Sequence, residues 1–263
     1  MPSYTQIAVK AVGAITTITL NRPDKRNALT RPLIDELIAA LDEASKPVCG
    51  VVILTGAGQA FCAGLDLEHL EPPADCSDEV ILQDAESMAR ALRALYEFPK
   101  PVIAAVNGAA VAAGMSLATI ADFTLSVPEA KFGFNEVRVG FVPAIEASFL
   151  LRQIGDRRTR DLLLTGRMLK AQEAQQLGLV TKIVFAEELM PAAHALAQQL
   201  LLNSPQAMQA TKRLLAMHAS RRLDDDLADA IAISTQHRSS EDFREGVDAF
   251  KDRRKPVWPS KCV

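Results

Sequence analysis

The chain has 263 residues, is 49% hydrophobic and carries a formal net charge of -3, so it can bury a full core as one large domain or one domain with an appendage. That charge supplies no basic field for nucleic acid or an anionic membrane, and no uninterrupted apolar run reaches spanning length. The four cysteines (Cys49, Cys62, Cys76, Cys262) lack CxxC spacing and the four histidines (His69, His194, His218, His237) are scattered, which predicts free thiols and no metal site. The opening MPSYTQIAVK has neither the apolar core of a secretory leader nor an Arg-rich amphipathic one, and the expectation is a cytoplasmic protein.

Residues 4 to 20 predict a β-hairpin turning at Gly13, with the β-branched ITTITL as its second strand. After the polar loop NRPDKRNALT, Thr30 is placed to cap a helix on which Leu33, Leu37 and Leu41 form one buried stripe. Val51 to Leu54 is a short buried strand that runs into Thr55-Gly56-Ala57-Gly58. This glycine pair fails as a dinucleotide fingerprint, because Phe61 stands at the third glycine position and Ala63-Gly64 prolong the loop before a helix can start. A helix over 78–96 follows, with Ile81, Ala85, Met88, Leu92 and Leu95 on one face.

The stretch from Lys100 to Asp122 reads as a buried strand, a small-residue bend and a helix. Val102 to Val106 is wholly apolar, Asn107-Gly108 breaks it, and Ala109, Ala110, Ala112, Ala113 and Gly114 then offer almost no side chain. A polar group of a ligand can approach the backbone closely there, where a new helix exposes unpaired first-turn N–H groups. The alternative is that the small residues serve only to pack this helix tightly on its sheet. A strand over 122–127, a turn at 130–137 and a Gly/Pro-punctuated loop at 140–143 come next.

Beyond Gly155 the pattern is mainly helical: 157–164, 171–177, a short strand at 180–184, a helix opened by Ser204-Pro205 and running through Met217, then 223–234 and 241–250. Apolar strands alternating with helices predict an α/β fold with a largely parallel sheet. The change of texture near residue 200 divides a core (1–200) from a helical region (201–263).

Taken in order, RPDKRNAL, GxGxxFCAGLDL, KPVIAAVNG with its small-residue bend, AKFGFNEVRVGFVP, LTGRMLKAQEAQQLGLV and EDFREGVDAFKDRRKPVW resemble the enoyl-CoA hydratase/isomerase (crotonase) family nearly end to end. The resemblance implies a ββα spiral core, a C-terminal helical trimerisation region, a homotrimer or a hexamer of two trimers, acyl-CoA thioester substrates, and no cofactor apart from the coenzyme A carried by the substrate. By position it implies an oxyanion hole made by the backbone N–H groups of Leu65 and Ala113, an effect worth about 3–4 kcal/mol per donor in comparable sites. One of the two glutamates used by the family's hydratases falls on Glu136. The other falls on Ser116, a departure, since a neutral hydroxyl cannot act as the second charge-changing partner.

Glu146 is either a substitute carboxylate or a structural residue. The expectation from Ser116 is that hydration is weak and that chemistry runs mainly through Glu136. Ser116 also sits in Gly114-Met115-Ser116-Leu117-Ala118, a near miss to a nucleophile elbow, so thioester hydrolysis is an alternative that lacks a matching histidine base. Simple acyl-CoA binding without turnover is a third. The resemblance puts the coenzyme A portion against Lys25 to Ala28, Ala63, Asp66 and Leu67. Phe250 and the Arg253-Arg254-Lys255 tail of a neighbouring subunit would cover the nucleotide. Acyl-cavity side chains are expected from the 70–90 region and from Phe134, Phe141 and Ile145.

Overall fold

The computed structural model describes residues 4–66, 78–219 and 223–259. Two sheets carry the fold. The larger has six strands in the order β1 (Ile7–Val12), β2 (Ile15–Leu20), β3 (Val51–Gly56), β5 (Val102–Val106), β7 (Phe123–Ser126) and β10 (Lys182–Ile183). The smaller has four: β4 (Ala60–Cys62), β6 (Ala109–Val111), β8 (Lys131–Gly133) and β9 (Met168–Lys170). Each of β3, β5 and β7 leads within a few residues into a strand of the small sheet, so the chain winds repeatedly through both.

The hairpin forms as the sequence predicts, with β1 and β2 antiparallel and Gly13 at a φ of 58° in the turn. From β2 onward the large sheet is parallel. β3 and β5 are buried on both faces from Val51 to Thr55 and from Val102 to Val106, as continuous apolar strands covered by helices should be.

Thr30 caps α1 (Arg31–Ala44), its hydroxyl accepting from the Leu33 N–H at 3.3 Å. The stripe Leu33, Leu37 and Leu41 is buried, and α1 packs on α2 (Asp78–Tyr96). α3 (Ala113–Ile120) is almost wholly buried between the sheets and the remaining helices. Helix α4 (Ala144–Thr165) starts well before the predicted 157–164, because Gly155 at φ 75° breaks it into two helices end to end, and the sequence pattern marks only the second. α5 (Ala171–Gln176) precedes Gly178, and α6 (Ala186–Leu201) crosses the large sheet on β3, β5 and β7.

The last three helices are α7 (Pro205–Ala219), α8 (Leu223–Arg238) and α9 (Glu241–Lys251). Lys212 on α7 donates to the Lys100 carbonyl at 2.9 Å and pairs with Asp122 at 2.5 Å. α8 packs on α2 and α4. α9 lies on the turn after β8, and its closest approach explains two glycines: a Cβ on Gly246 would stand 2.2 Å from the Val139 carbonyl oxygen, and one on Gly140 2.3 Å from that of Asp242.

Further readings differ from the structure in detail, and the turn expected over 130–137 contains the strand β8. The bend at 109–111 is itself a strand, β6, paired with β4 and β8; alanine propensities give no hint of it, because the pairing is supplied by tertiary neighbours. The strand expected over 180–184 is reduced to Lys182–Ile183. Among the described residues no helix is long and apolar enough to cross a membrane.

Candidate active site

The two small-residue bends meet. Gly64 has φ 89°, and a methyl group on it would lie 2.7 Å from Ala112 Cβ, 3.1 Å from the Val111 carbonyl oxygen and 3.7 Å from the Ala113 nitrogen. Gly114 is as crowded from the other side, since its Cβ would stand 2.3 Å from the Cys62 carbonyl oxygen. The glycines are therefore needed so that the two backbones can touch.

Each bend leaves one N–H over. Leu65 forms a parallel bridge with Leu29, in which the Leu29 N–H donates to Gly64 O at 2.7 Å and the Asp66 N–H to Leu29 O at 2.9 Å. In that pattern the N–H of the central residue, Leu65, is directed to the opposite side. Ala113 is the first residue of α3, where no preceding turn exists to accept its N–H. Ala112 before it is held at φ 53° and ψ -130°, a conformation costly for alanine and fixed by its N–H donating to Gly133 O at 2.8 Å. Leu65 and Ala113 both line one cleft of about 840 Å³.

Glu136 is the other residue this cleft gathers. It opens a short 3-10 turn, Glu136–Val139, whose position is fixed by the Phe141 N–H donating to Glu136 O at 3.0 Å, by α9, and by the Phe141 and Phe243 rings 5.4 Å apart. Its carboxyl is 6% exposed and neither oxygen has a hydrogen-bond partner among the described residues. Glu146, in the first turn of α4, is 4% exposed and lines the same cleft. Burial, with the neighbouring Glu146 charge as a second cause, pushes the Glu136 carboxyl well above the ordinary carboxylate range. Burial pushes Glu146 up to about 7. Two buried acids this close do not both ionise readily.

The raised carboxyls also make stability depend on pH. A carboxyl whose pKa is raised by folding contributes stability that is fully present below its unfolded value, 4.5, and is lost as pH rises through about 7. Glu146→Gln, which cannot ionise, should therefore be more stable than the unmutated protein above about pH 8, by on the order of 2–3 kcal/mol. Thermal unfolding at that pH and again below about pH 4.5 measures it, with the difference expected to vanish at the lower value.

Ser116 lies on α3 at 2% exposure and is not among the described residues lining the cleft. Two helical positions separate it from the exposed first N–H, and the turn carries its side chain into the packed interior. Cys62 is fully buried beneath the bends and its thiol is pushed up to about 12 by burial, so it is no nucleophile at neutral pH.

The cleft mouth is charged. Lys25, Arg26, Arg138, Arg253 and Arg254 line it with Asp24 and Asp66, beside Ala28, Ala63 and Phe250. Asp66 pairs with Arg22 at 2.9 Å, and Arg254 is held by Glu245 at 2.5 Å. Phe250, Arg253 and Arg254 line the cleft of their own chain, where the expectation is a neighbour's tail; α9 folds back over the turn bearing Glu136 and brings them there. Leu67 lies outside the described residues.

Sequence reading does not anticipate Asn27. It is fully buried at φ 56°, accepts from the Arg22 N–H at 2.9 Å and donates to the carbonyls of Ala57 and Ala60 at 2.9 and 2.8 Å. It thus pins the Lys25–Ala28 loop to the connection between β3 and β4; an asparagine in a polar loop tolerates positive φ, a signal present in the sequence.

A second, small cavity of about 40 Å³ adjoins the first, sharing Leu65, Phe141 and Glu146 with it. Leu29, Ile34, Ile81, Met88 and Ile145 make its apolar wall. Arg238 pairs with Asp84 at 2.8 Å and Arg31 with the same carboxylate at 3.5 Å where these three line it. Phe134, expected in this wall, is instead buried away from both cavities.

The two sheets thus bring two spare N–H groups and a buried carboxyl to one cleft of an α/β fold. The profile of the enoyl-CoA hydratase/isomerase family matches residues 10–261, and the chain belongs to that family. A relative from Thermus thermophilus named in the enoyl-CoA hydratase group is 38% identical over 245 residues, covering 93% of this chain and 97% of the relative. The 2,3-dehydroadipyl-CoA hydratase of Escherichia coli is 33% identical over 258 residues, covering 97% and 99%. Among solved structures, an enoyl-CoA hydratase from Mycobacterium avium subsp. paratuberculosis superposes with a TM-score of 0.88 at 29% identity, over 98% of this chain and 100% of that one. A methylmalonyl-CoA decarboxylase in complex with 2-nitronate-propionyl-CoA does so with 0.86 at 25% identity, over 98% and 100%.

Proposed function

We propose that this enzyme forms and protonates an acyl-CoA enolate, with the Leu65 and Ala113 N–H groups holding the thioester oxygen and Glu136 exchanging the proton at the carbon next to the thioester. The observation that carries the reading is the convergence of these three groups on one cleft, with the Glu136 oxygens buried and without a hydrogen-bond partner among the described residues. A thioester oxygen gains charge as the enolate forms, so donors placed before the reaction stabilise the transition state more than the substrate. A carboxyl raised by burial is close to the working pH and can act as acid or base. Coenzyme A itself belongs to the substrate and no separate cofactor enters the scheme.

Lys25, Arg26, Arg253 and Arg254 support a reading in which the nucleotide and its phosphates lie at the charged mouth, with Phe250 against the base and Ala28, Ala63 and Asp66 lining the path inward. The small cavity beyond supports a short acyl tail. Ser116 takes no part in this scheme. Hydrolysis through Ser116 would need an exposed hydroxyl and a base beside it, and Ser116 is 2% exposed inside α3. A cytoplasmic setting is in keeping with Cys49 and Cys62, which are buried unpaired thiols.

The purified protein, offered a panel of 2-enoyl-, 3-enoyl- and 3-hydroxyacyl-CoA thioesters, should convert at least one pair of them into each other. Binding of the panel without turnover of any member would contradict the reading.

We also propose self-association through the region beyond residue 200, as a trimer or a pair of trimers. Leu214, Leu215 and Met217 on α7 are 53–62% exposed, an apolar face that a second copy of the chain would cover. The double substitution Leu214→Asp with Leu215→Asp should reduce the mass measured by light scattering to that of a single chain. An unchanged assembly mass would remove α7 from the interface.

A further inference from the structure

We propose that Glu146 is a second catalytic residue, the base that activates water for addition at the carbon one bond beyond the one Glu136 protonates. The inference rests on the reading of Glu136 given above and deepens it. It starts from placement. Of the three buried carboxyl residues that line the main cleft, Asp66, Glu136 and Glu146, only Glu146 also lines the small cavity that continues from it. Leu65, Ala113, Glu136 and Glu146 line the main cleft together, and Leu65 and Glu146 stand where it meets the cavity proposed for the acyl tail. A chain laid from the main cleft toward Ile81 and Met88 therefore passes Glu146 as it enters that cavity.

The second carboxylate is thus supplied by the first turn of α4 in place of α3, where Ser116 is buried in the packing. Glu146 sits in the first turn of the long helix α4, whose N-terminus favours its anionic form. Burial raises both groups, with the Glu146 charge a second cause at Glu136. Two neighbouring buried carboxyls do not both ionise readily, and the hydration step uses the form in which Glu136 holds the proton.

With a 2-enoyl thioester the step balances as follows. The Glu146 carboxylate takes a proton from water as the oxygen bonds to C3. The C2–C3 π pair moves toward the thioester and is held as an enolate by the two N–H groups. The Glu136 carboxyl then gives its proton to C2, closing the 3-hydroxyacyl product. Glu146 is left protonated and Glu136 ionised, and transfer of that proton between them restores the starting state. No other reactant is needed.

The test compares two readouts in the same variants: hydration of 2-butenoyl-CoA, and exchange of the C2 protons of saturated butanoyl-CoA with deuterated water. The first needs both carboxyls and the second only Glu136 and the N–H pair. Glu146→Gln should lose at least about 100-fold in hydration while keeping C2 exchange within a few-fold, and should lose one limb of the pH–rate profile. Glu146→Asp, which keeps a carboxylate, should recover part of the hydration. Hydration by Glu146→Gln within a few-fold of the unmutated rate would overturn the assignment, as would a parallel loss of hydration and exchange, which would mean that Glu146 only holds Glu136 in place. An unmutated protein that exchanges C2 protons but does not hydrate also overturns it, leaving the enolate reading intact; one that does neither removes the enolate reading as well.

Discussion

Replacing Glu136 by glutamine should lower whichever acyl-CoA conversion the enzyme performs by about 10³-fold or more, with little change in substrate binding. General acid/base groups contribute roughly 10²–10⁴-fold, and the upper part of that range is expected here because none of the described residues around it can stand in at the same carbon. Glu146 lies toward the acyl tail, Ser116 is enclosed in α3, and Cys62 is held as a thiol beneath the bends. Glutamine keeps the volume and removes a charge that burial already disfavours, so the fold should be retained or slightly stabilised. The signature is a fall in kcat at nearly constant KM, which marks loss of an interaction made only in the transition state. A variant with a raised KM and an unchanged kcat would instead assign Glu136 to binding.

The second large effect is expected at Ala113. Ala113→Pro removes one N–H at the first position of a helix, where proline is tolerated and the missing donor has no partner within the helix, and it adds ring atoms beside Ala112 at a site 1% exposed. The neighbouring φ of 53° at Ala112 is the point of strain, and circular dichroism together with thermal unfolding would establish that the variant is folded. In that state the loss should be about 10²–10³-fold in kcat, the usual cost of one oxyanion donor. The remaining Leu65 N–H should keep activity above that of Glu136→Gln. Full activity in folded Ala113→Pro would show that this N–H does not meet developing charge.

Much of this site is legible in the sequence because backbone chemistry demands small residues in recognisable places. Gly64 and Gly114 announce two backbones in contact, and the distances a Cβ would make, 2.7 and 2.3 Å, show why no larger residue fits. Glu136 is identifiable from the FGFNEV motif, and the helix over 78–96 and the one that Thr30 caps follow from their apolar stripes.

What escapes a sequence reading is set by distant parts of the chain. β6 is a strand only because β4 and β8 flank it. The first half of α4 escapes because Gly155, at a non-helical φ of 75°, kinks it away from the second half that the pattern marks. Phe134 and Ile145 look equivalent as wall residues, yet only Ile145 faces a cavity, a choice made by the register of the turn between them. The covering of the cleft by its own tail depends on Gly140 and Gly246 admitting α9 to the Glu136 turn. The pairing of Glu136 with Glu146 is likewise tertiary, since α4 must dock before the two carboxyls share a cleft.

The most direct measurement of the central claim is proton exchange at C2 of butanoyl-CoA in deuterated water, followed by nuclear magnetic resonance. This saturated thioester has no double bond to hydrate or move, so exchange reports formation of the enolate alone. The account predicts that the unmutated enzyme replaces the C2 protons with deuterium and that Glu136→Gln does so at least about 10³-fold more slowly. Absence of exchange in the unmutated enzyme, or equal exchange in Glu136→Gln, would contradict it.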